Sequence, residues 1–316
     1  MEETQLETIS RRRLLAMAGI SAGTLLGQSR IIRGDGLVQI MMAEAAKAKI
    51  NVQPLRRNIS VLEGSGGNIA VLTGRDGKLL VDAGFAVSRP AISNALASIN
   101  SDPIKHLINS HWHTDHTNGN EWLHSAGAAI TAHENTRKHL AVDTRVEGWN
   151  YMFPAVPPGA LPVEVFANDC ELHHNDTRMV LKHYAPAHTD SDISIYFTDA
   201  DVVHVADTWW NGVYPFIDYS TGGSIDGAIR AAETNLAMIS DKTIVIPGHG
   251  PVGRKPDVAE FRDMLATVRA NVARLKKQGR SLDETIAAKP TAAFDAKWGQ
   301  FLITPAHFTD LVYAGV

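Results

Sequence analysis

Cysteine is almost absent: Cys170 stands alone among 316 residues. No disulfide can form within the chain, and a thiolate-rich zinc module is excluded. Positive charge is not in excess either. Lys and Arg number 30 against 34 Asp and Glu, a formal charge of −4, so the basic field of a general nucleic-acid binder is missing. Low-complexity segments and short-period repeats are missing too, which argues against a solenoid or a biased linker. With 44% hydrophobic and 20% charged residues, the chain has enough apolar material for a core, and disorder over most of its length is excluded. Histidine is what the sequence has in quantity: 14, against six Trp and six Tyr.

The N-terminus reads as an export signal. Ser10-Arg11-Arg12-Arg13 precedes an apolar, Gly- and Ala-rich run over 14–27, shorter than the roughly 20 residues of a bilayer-spanning helix. That suits a signal h-region rather than an anchor. The arginine pair resembles a twin-arginine signal, which implies the twin-arginine export machinery as a partner, a periplasmic or secreted protein, and no membrane anchor after cleavage. The small residues of Ala43-Glu44-Ala45 and Ala46-Lys47-Ala48 offer two cleavage sites. An amphipathic N-terminal helix is the competing reading. The expected division is a signal over 1–45, a catalytic domain over 46–255 and a C-terminal helical segment over 256–316.

Strand and helix signals alternate after residue 57. Residues 58–62 and 68–72 read as strands on either side of the Gly-rich 63–67. Asp76-Gly77 marks a hairpin turn, because Asp-Gly favours positive φ. Further strands are expected at 79–82, 106–109, 179–184, 193–198, 201–205 and 243–247, and helices at 90–99, 224–240 and 256–278. Short strands mixed with helices indicate an α/β fold. Residues 145–166, rich in proline and aromatics, read as a long irregular loop, either a binding element or a stiffened surface crossing. In the C-terminal segment Phe261, Leu265, Val268 and Val272 share one helical face, and Lys276 to Arg280 reads as a helix end capped by Gly279. Phe301, Phe308, Leu311, Val312 and Tyr313 can dock on the core or on a second subunit.

Ser110-His111-Trp112-His113-Thr114-Asp115-His116 directly follows an apolar strand. His and Asp are costly to bury without partners, and a divalent ion satisfies imidazole nitrogen and carboxylate oxygen together. Alone, the cluster could be a solvated turn. His188, Asp207 and His249 each follow another apolar run, so potential ligands recur at strand ends, where α/β folds place their chemistry.

In this combination and order the chain resembles the metallo-β-lactamase superfamily over roughly 57–255. Asp82 and Gly84 also match its early strand-Asp-x-Gly element. The resemblance implies a four-layer αβ/βα sandwich with a two-metal site. His111, His113 and His188 would hold one ion, Asp115, His116 and His249 the other, and Asp207 would bridge them. It implies zinc, with iron and manganese compatible, and a shared hydroxide as nucleophile, with Asp115 as the catalytic residue that orients it and passes a proton. The other nine histidines match no ligand position. Thr189, Asp190 and Asp192 are candidates to accept the second N–H of ligand imidazoles, or else to cap turns.

An Asp at 207, where the main zinc β-lactamases carry Cys, resembles glyoxalase II and the lactonases. No Lys follows shortly to clamp a carboxylate. Trp209, Trp210 and Tyr214 read as an apolar pocket wall, with Trp149, Tyr151 and Phe153 as the facing rim, or else as core; Trp112 reads as core. The expectation is an exported two-metal hydrolase cleaving an ester, lactone, thioester or β-lactam bond of a small, partly hydrophobic substrate. The alternatives are a β-lactamase proper, an iron-dependent oxidoreductase, or a metal-binding protein without catalysis.

Overall fold

The computed structural model describes residues 36–316; the Arg11–Arg13 cluster and the apolar run after it lie outside the described residues. Helix α1 is Leu37–Ala45. Strands β1 (Asn51–Pro54), β2 (Ile59–Glu63), β3 (Ile69–Leu72), β4 (Lys78–Val81), β5 (Ile104–Asn109) and β6 (Ala129–His133) follow. A separate hairpin pairs β7 (Thr144–Val146) with β8 (Tyr151–Phe153). Strand β9 (Glu164–Phe166) then completes a seven-stranded sheet in the order β1-β2-β3-β4-β5-β6-β9. The second sheet runs in sequence order through β10 (Cys170–His174), β11 (Thr177–His183), β12 (Ile193–Phe197), β13 (Val202–Trp210) and β14 (Ile244–His249).

Alternation along the strands sorts side chains to two faces, and this builds the layers. Ile59, Val61, Leu79, Val81 and Ile108 of the first sheet meet Met179, Leu181, Ile195, Val202 and Ile246 of the second in one buried cluster between the sheets. Their neighbours Leu62, Leu80 and Leu107 point outward and are covered by Ile92, Ala95 and Leu96 of helix α2 (Arg89–Ile99). On the far side Val203, Val205 and Val245 pack under Ala228 and Ala232 of helix α3 (Ile225–Met238) and Phe261, Leu265, Val268 and Val272 of helix α4 (Lys255–Lys277). Helix, sheet, sheet, helix is the four-layer arrangement expected. The C-terminal helix α5 (Pro305–Ala314) adds Phe308, Leu311 and Val312 to the same core. Among the described residues no helix is long and apolar enough to cross a membrane.

Two expectations need correction. Residues 145–166 are not one irregular loop: β8, β9 and two short 3-10 turns lie within them. The strand expected to end at Val205 continues to Trp210, with breaks of register against β14 around Ala206. Residues 37–45, the last part of the segment read as a signal, form a helix whose Leu37 and Val38 are buried in the main core.

Candidate metal centre

Seven side chains converge at one end of the sandwich. His111, His113, His188 and Asp207 form one group able to hold a metal ion, and Asp115, His116 and His249 a second; within each group the ligand atoms lie within 4.8 Å of one another. All seven are buried. The loop after β5 carries His111 and His113, and its single helical turn Thr114–Thr117 carries Asp115 and His116. His188 sits between β11 and β12, and His249 ends β14. Asp207 is not at a strand end. It lies inside β13, just after Ala206, whose φ of 46° is unusual for a residue with a Cβ and accompanies the register break.

Asp207 stands between the groups. Its Oδ2 is 3.3 Å from His188 Nε2 and 3.5 Å from His249 Nε2, and its Oδ1 is 3.1 Å from His116 Nε2. Asp115 Oδ2 lies 3.2 Å from His249 Nε2 and 3.4 Å from His116 Nε2. Two close approaches make room. A Cβ on Gly67 would fall 2.1 Å from the His116 ring, and one on Gly248 would fall 1.8 Å from Asp207 Oδ1, so only glycine fits at either place.

The outer nitrogens of four of the five imidazoles are tied down. His116 Nδ1–H donates to Asp82 Oδ2 at 2.8 Å, and His113 Nε2–H to Asp218 Oδ2 at 3.0 Å. His188 Nδ1–H donates to the Phe216 carbonyl at 2.8 Å. Ser110 Oγ–H donates to Asp82 Oδ2 at 2.7 Å, so its oxygen is left to accept from His111 Nδ1–H at 3.1 Å. Once the outer nitrogen holds the proton, the inner nitrogen presents a lone pair. The inner nitrogens of His113 and His188 face each other at 2.8 Å, an arrangement that positive charge relieves. Nε2 of His111, His116 and His249, and Oδ1 of Asp207, are buried without a hydrogen bond of good geometry. Such orphaned acceptors are rare in proteins. Inward lone pairs beside two carboxylates are a donor set suited to divalent cations.

The electrostatics are strongly coupled. Burial would raise the Asp115 and Asp207 carboxyls, but the surrounding imidazoles, His116 foremost, outweigh it and hold both well below the ordinary carboxylate range. Burial opposes charge on His249, yet Asp207 and Asp115 bring it up to about 9. Burial, reinforced by His116, drives His111 well down. Asp218 is also lowered: burial works against this, and the donors His113, Thr221 and Ser220 prevail.

Several candidates fall elsewhere than expected. Thr189, Asp190 and Asp192 touch no ligand imidazole ring. Asp192 accepts the backbone N–H groups of His188 and Thr189 at 2.8 and 2.9 Å, and so shapes the loop that carries His188. Asp190 pairs with His139 at 2.8 Å. Asp82 and Asp218 have the role given to them. Asp82 was visible as the strand-ending Asp. Asp218 precedes Tyr219-Ser220-Thr221 and caps that turn through the Ser220 N–H, a signal that points to a turn and not to a site.

Two cavities, an inner and an outer one, share Asp115 and His249 in their lining. Trp149, Asp207, Trp210 and Phe216 line the inner one. Phe85, Val213, Phe301 and Leu302 line the outer one. Trp209 is instead fully buried in the core, and Tyr214 stacks on Phe308 with its ring centroid 4.5 Å away. Tyr151 and Phe153 pack together at 4.7 Å, beside Trp149, and line neither cavity. Trp112 is core, donating to Thr221 Oγ1.

A buried centre of imidazoles and carboxylates at the end of a helix-backed double sheet defines a class of metal-dependent α/β sandwich hydrolases. Residues 62–253 match the metallo-beta-lactamase superfamily, and the chain belongs to it. Among solved structures, a stereoselective inverting sec-alkylsulfatase from a Pseudomonas species superposes with a TM-score of 0.62 at 17% identity, over 87% of this chain and 52% of that one. The chain thus spans about half the length of that sulfatase. A metallo-beta-lactamase from Pontibacter korlensis superposes with a TM-score of 0.55 at 14% identity, over 69% of this chain and 99% of its own. At these identities the likeness is one of fold.

Proposed function

We propose that this protein is a two-metal hydrolase that cleaves an acyl bond, an ester or lactone in preference to a thioester or β-lactam, in a small substrate with a neutral apolar part. One observation carries the reading. The seven buried candidate ligands form one centre, and Asp115, Asp207 and His249 open it to cavities whose described lining residues include no Lys or Arg. An anionic sulfate, phosphate or carboxylate would lie there without a cationic side chain to receive it, while an apolar group would be well accommodated.

His111, His113 and His188 would hold one ion and Asp115, His116 and His249 the other, with the two oxygens of Asp207 facing both groups. Zinc suits these ligands best; iron and manganese are compatible. When bound, a pair of divalent cations supplies Lewis acidity and an activated water at neutral pH. Asp115 lines both cavities, so its carboxylate can orient an attacking water, take its proton and return it to the leaving oxygen. Trp210 and Phe216 exclude bulk water from the inner cavity. The partner is a small molecule and not a nucleic acid, and the enzyme works in the periplasm or outside the cell after twin-arginine export.

The test is a panel of p-nitrophenyl esters, a γ-lactone, a thioester, a chromogenic β-lactam, a secondary alkyl sulfate and a phosphodiester, with zinc and with EDTA. EDTA-sensitive turnover highest on ester or lactone is expected. Turnover confined to the sulfate or phosphodiester would contradict the reading.

A further inference from the structure

Helix α1 precedes the segment matched to the family, yet it forms part of the site. Met41 lines both the inner and the outer cavity, together with Asp115 and His249; Leu37 lines the inner one and Ala45 the outer. Leu37 and Val38 are 3% and 2% exposed, so the helix is seated in the core and not laid on the surface. Its C-terminal end is tethered. Ser88 Oγ donates to the Ala45 carbonyl at 2.6 Å and accepts from Ser65 Oγ at 2.6 Å. Ser65 belongs to the Gly-rich loop whose Gly67 N–H donates to the Asp115 carbonyl at 3.2 Å. A hydrogen-bonded path thus runs from the end of α1 to the backbone of a candidate ligand.

We propose that α1 is a fixed wall of the substrate cavity, that Met41 is a specificity-determining residue setting the length of apolar chain admitted, and that an active chain keeps residues 37–45 through any N-terminal processing. This rests on the hydrolase reading above. The unbranched methionine side chain fills irregular apolar gaps and adapts to what lies against it. Phe301 and Leu302, from the stretch between α4 and α5, line the same cavity. Part of the cavity wall therefore comes from segments near the two ends of the described chain, outside the sheets that carry the ligands.

The experiment uses the zinc-loaded full chain and p-nitrophenyl esters from acetyl to decanoyl. Met41→Trp should raise KM for octanoyl and decanoyl esters at least tenfold more than it raises KM for the acetyl ester. Met41→Ala should shift the optimum toward longer chains. Ile40→Ser, at a position 37% exposed, should leave the profile unchanged. Parallel profiles for wild type and both Met41 variants would overturn the proposal. Calorimetric titration with octanamide gives a readout independent of turnover, so failure of the wall is separable from failure of the hydrolase reading. Binding at least tenfold weaker in Met41→Trp is expected, and equal affinity would contradict the wall even if no ester is cleaved. Intact mass of the chain recovered from the producing cell completes the test: a chain that keeps residues 37–45 agrees, and a fully active chain beginning after Ala45 overturns it.

Discussion

The metal centre and the cavity beside it are built on opposite plans. The centre takes its side chains from strand ends, short loops and, for Asp207, a register break inside β13, all within 111–249, every one of them polar and four of the seven with a second hydrogen bond behind it. The cavity takes its walls from α1, from Phe85, from Val213 and Phe216, and from Phe301 to Ile303, largely apolar but with Glu44, Glu63 and Asn68 among them, and spread over the described chain. Hydrogen-bonded polar groups are held to one geometry; apolar walls need only volume and shape. The first plan suits conserving a reaction, the second suits changing what is admitted to it.

The sharpest way to break this contrast is at Asp115. Asp115→Asn keeps size but loses the proton-carrying carboxylate, and turnover should fall by orders of magnitude while the far-ultraviolet circular dichroism is unchanged; full activity would remove Asp115 from the chemistry. Next is Asp218→Asn. Loss of the carboxylate behind His113 should weaken metal binding about 10–100-fold, read by competition with a chromogenic chelator. An unaltered constant would show that the hydrogen bond does not position the ligand.

The wall can be separated from the core with two adjacent tryptophans. Trp209→Ala removes a side chain with no exposure and should cost about 3–5 kcal/mol in urea unfolding, with little change in KM. Trp210→Ala, whose ring lies 4.2 Å from that of His249, should alter KM for bulky esters by about tenfold, an expectation that follows from its place in the inner cavity. The reverse pattern would exchange their roles.

The effect furthest from the chemistry belongs to a histidine outside the centre. Burial alone pushes His307 down to about 4 from its ordinary 6.5. A proton therefore binds the unfolded chain first. The stability this residue contributes is complete above about pH 6.5 and is lost as the pH falls toward 4, up to about 3 kcal/mol. His307→Leu should flatten the fall in stability over that window relative to wild type; identical slopes would show that His307 is not held neutral.

What the sequence revealed follows the same division. Imidazoles and carboxylates clustered after apolar strands are conspicuous because burying them needs partners, so the seven ligand candidates could be picked out before the fold was known. Apolar runs bounded by turn signals likewise exposed most of the strands that support them. Apolar wall residues carry no such mark. Met41 and Phe301 look like any core residue, and Tyr214 and Trp209, chosen for standing near Asp207, face the core because alternation and the break at Ala206 decide which way each side chain of β13 and the turn after it points. Helix α1 was read with the export signal since it follows an apolar run and ends in small residues. Its place in the main core, where Leu37 and Val38 are buried, is visible only in the fold.

Metal content per chain tests the central claim most directly. Purified protein, stripped with chelator, reloaded with zinc and freed of excess, is measured by elemental analysis. Two equivalents per chain, falling to one or fewer in Asp207→Ala, is the predicted result. One equivalent or none in the wild type would contradict a centre in which these seven side chains hold a pair of ions.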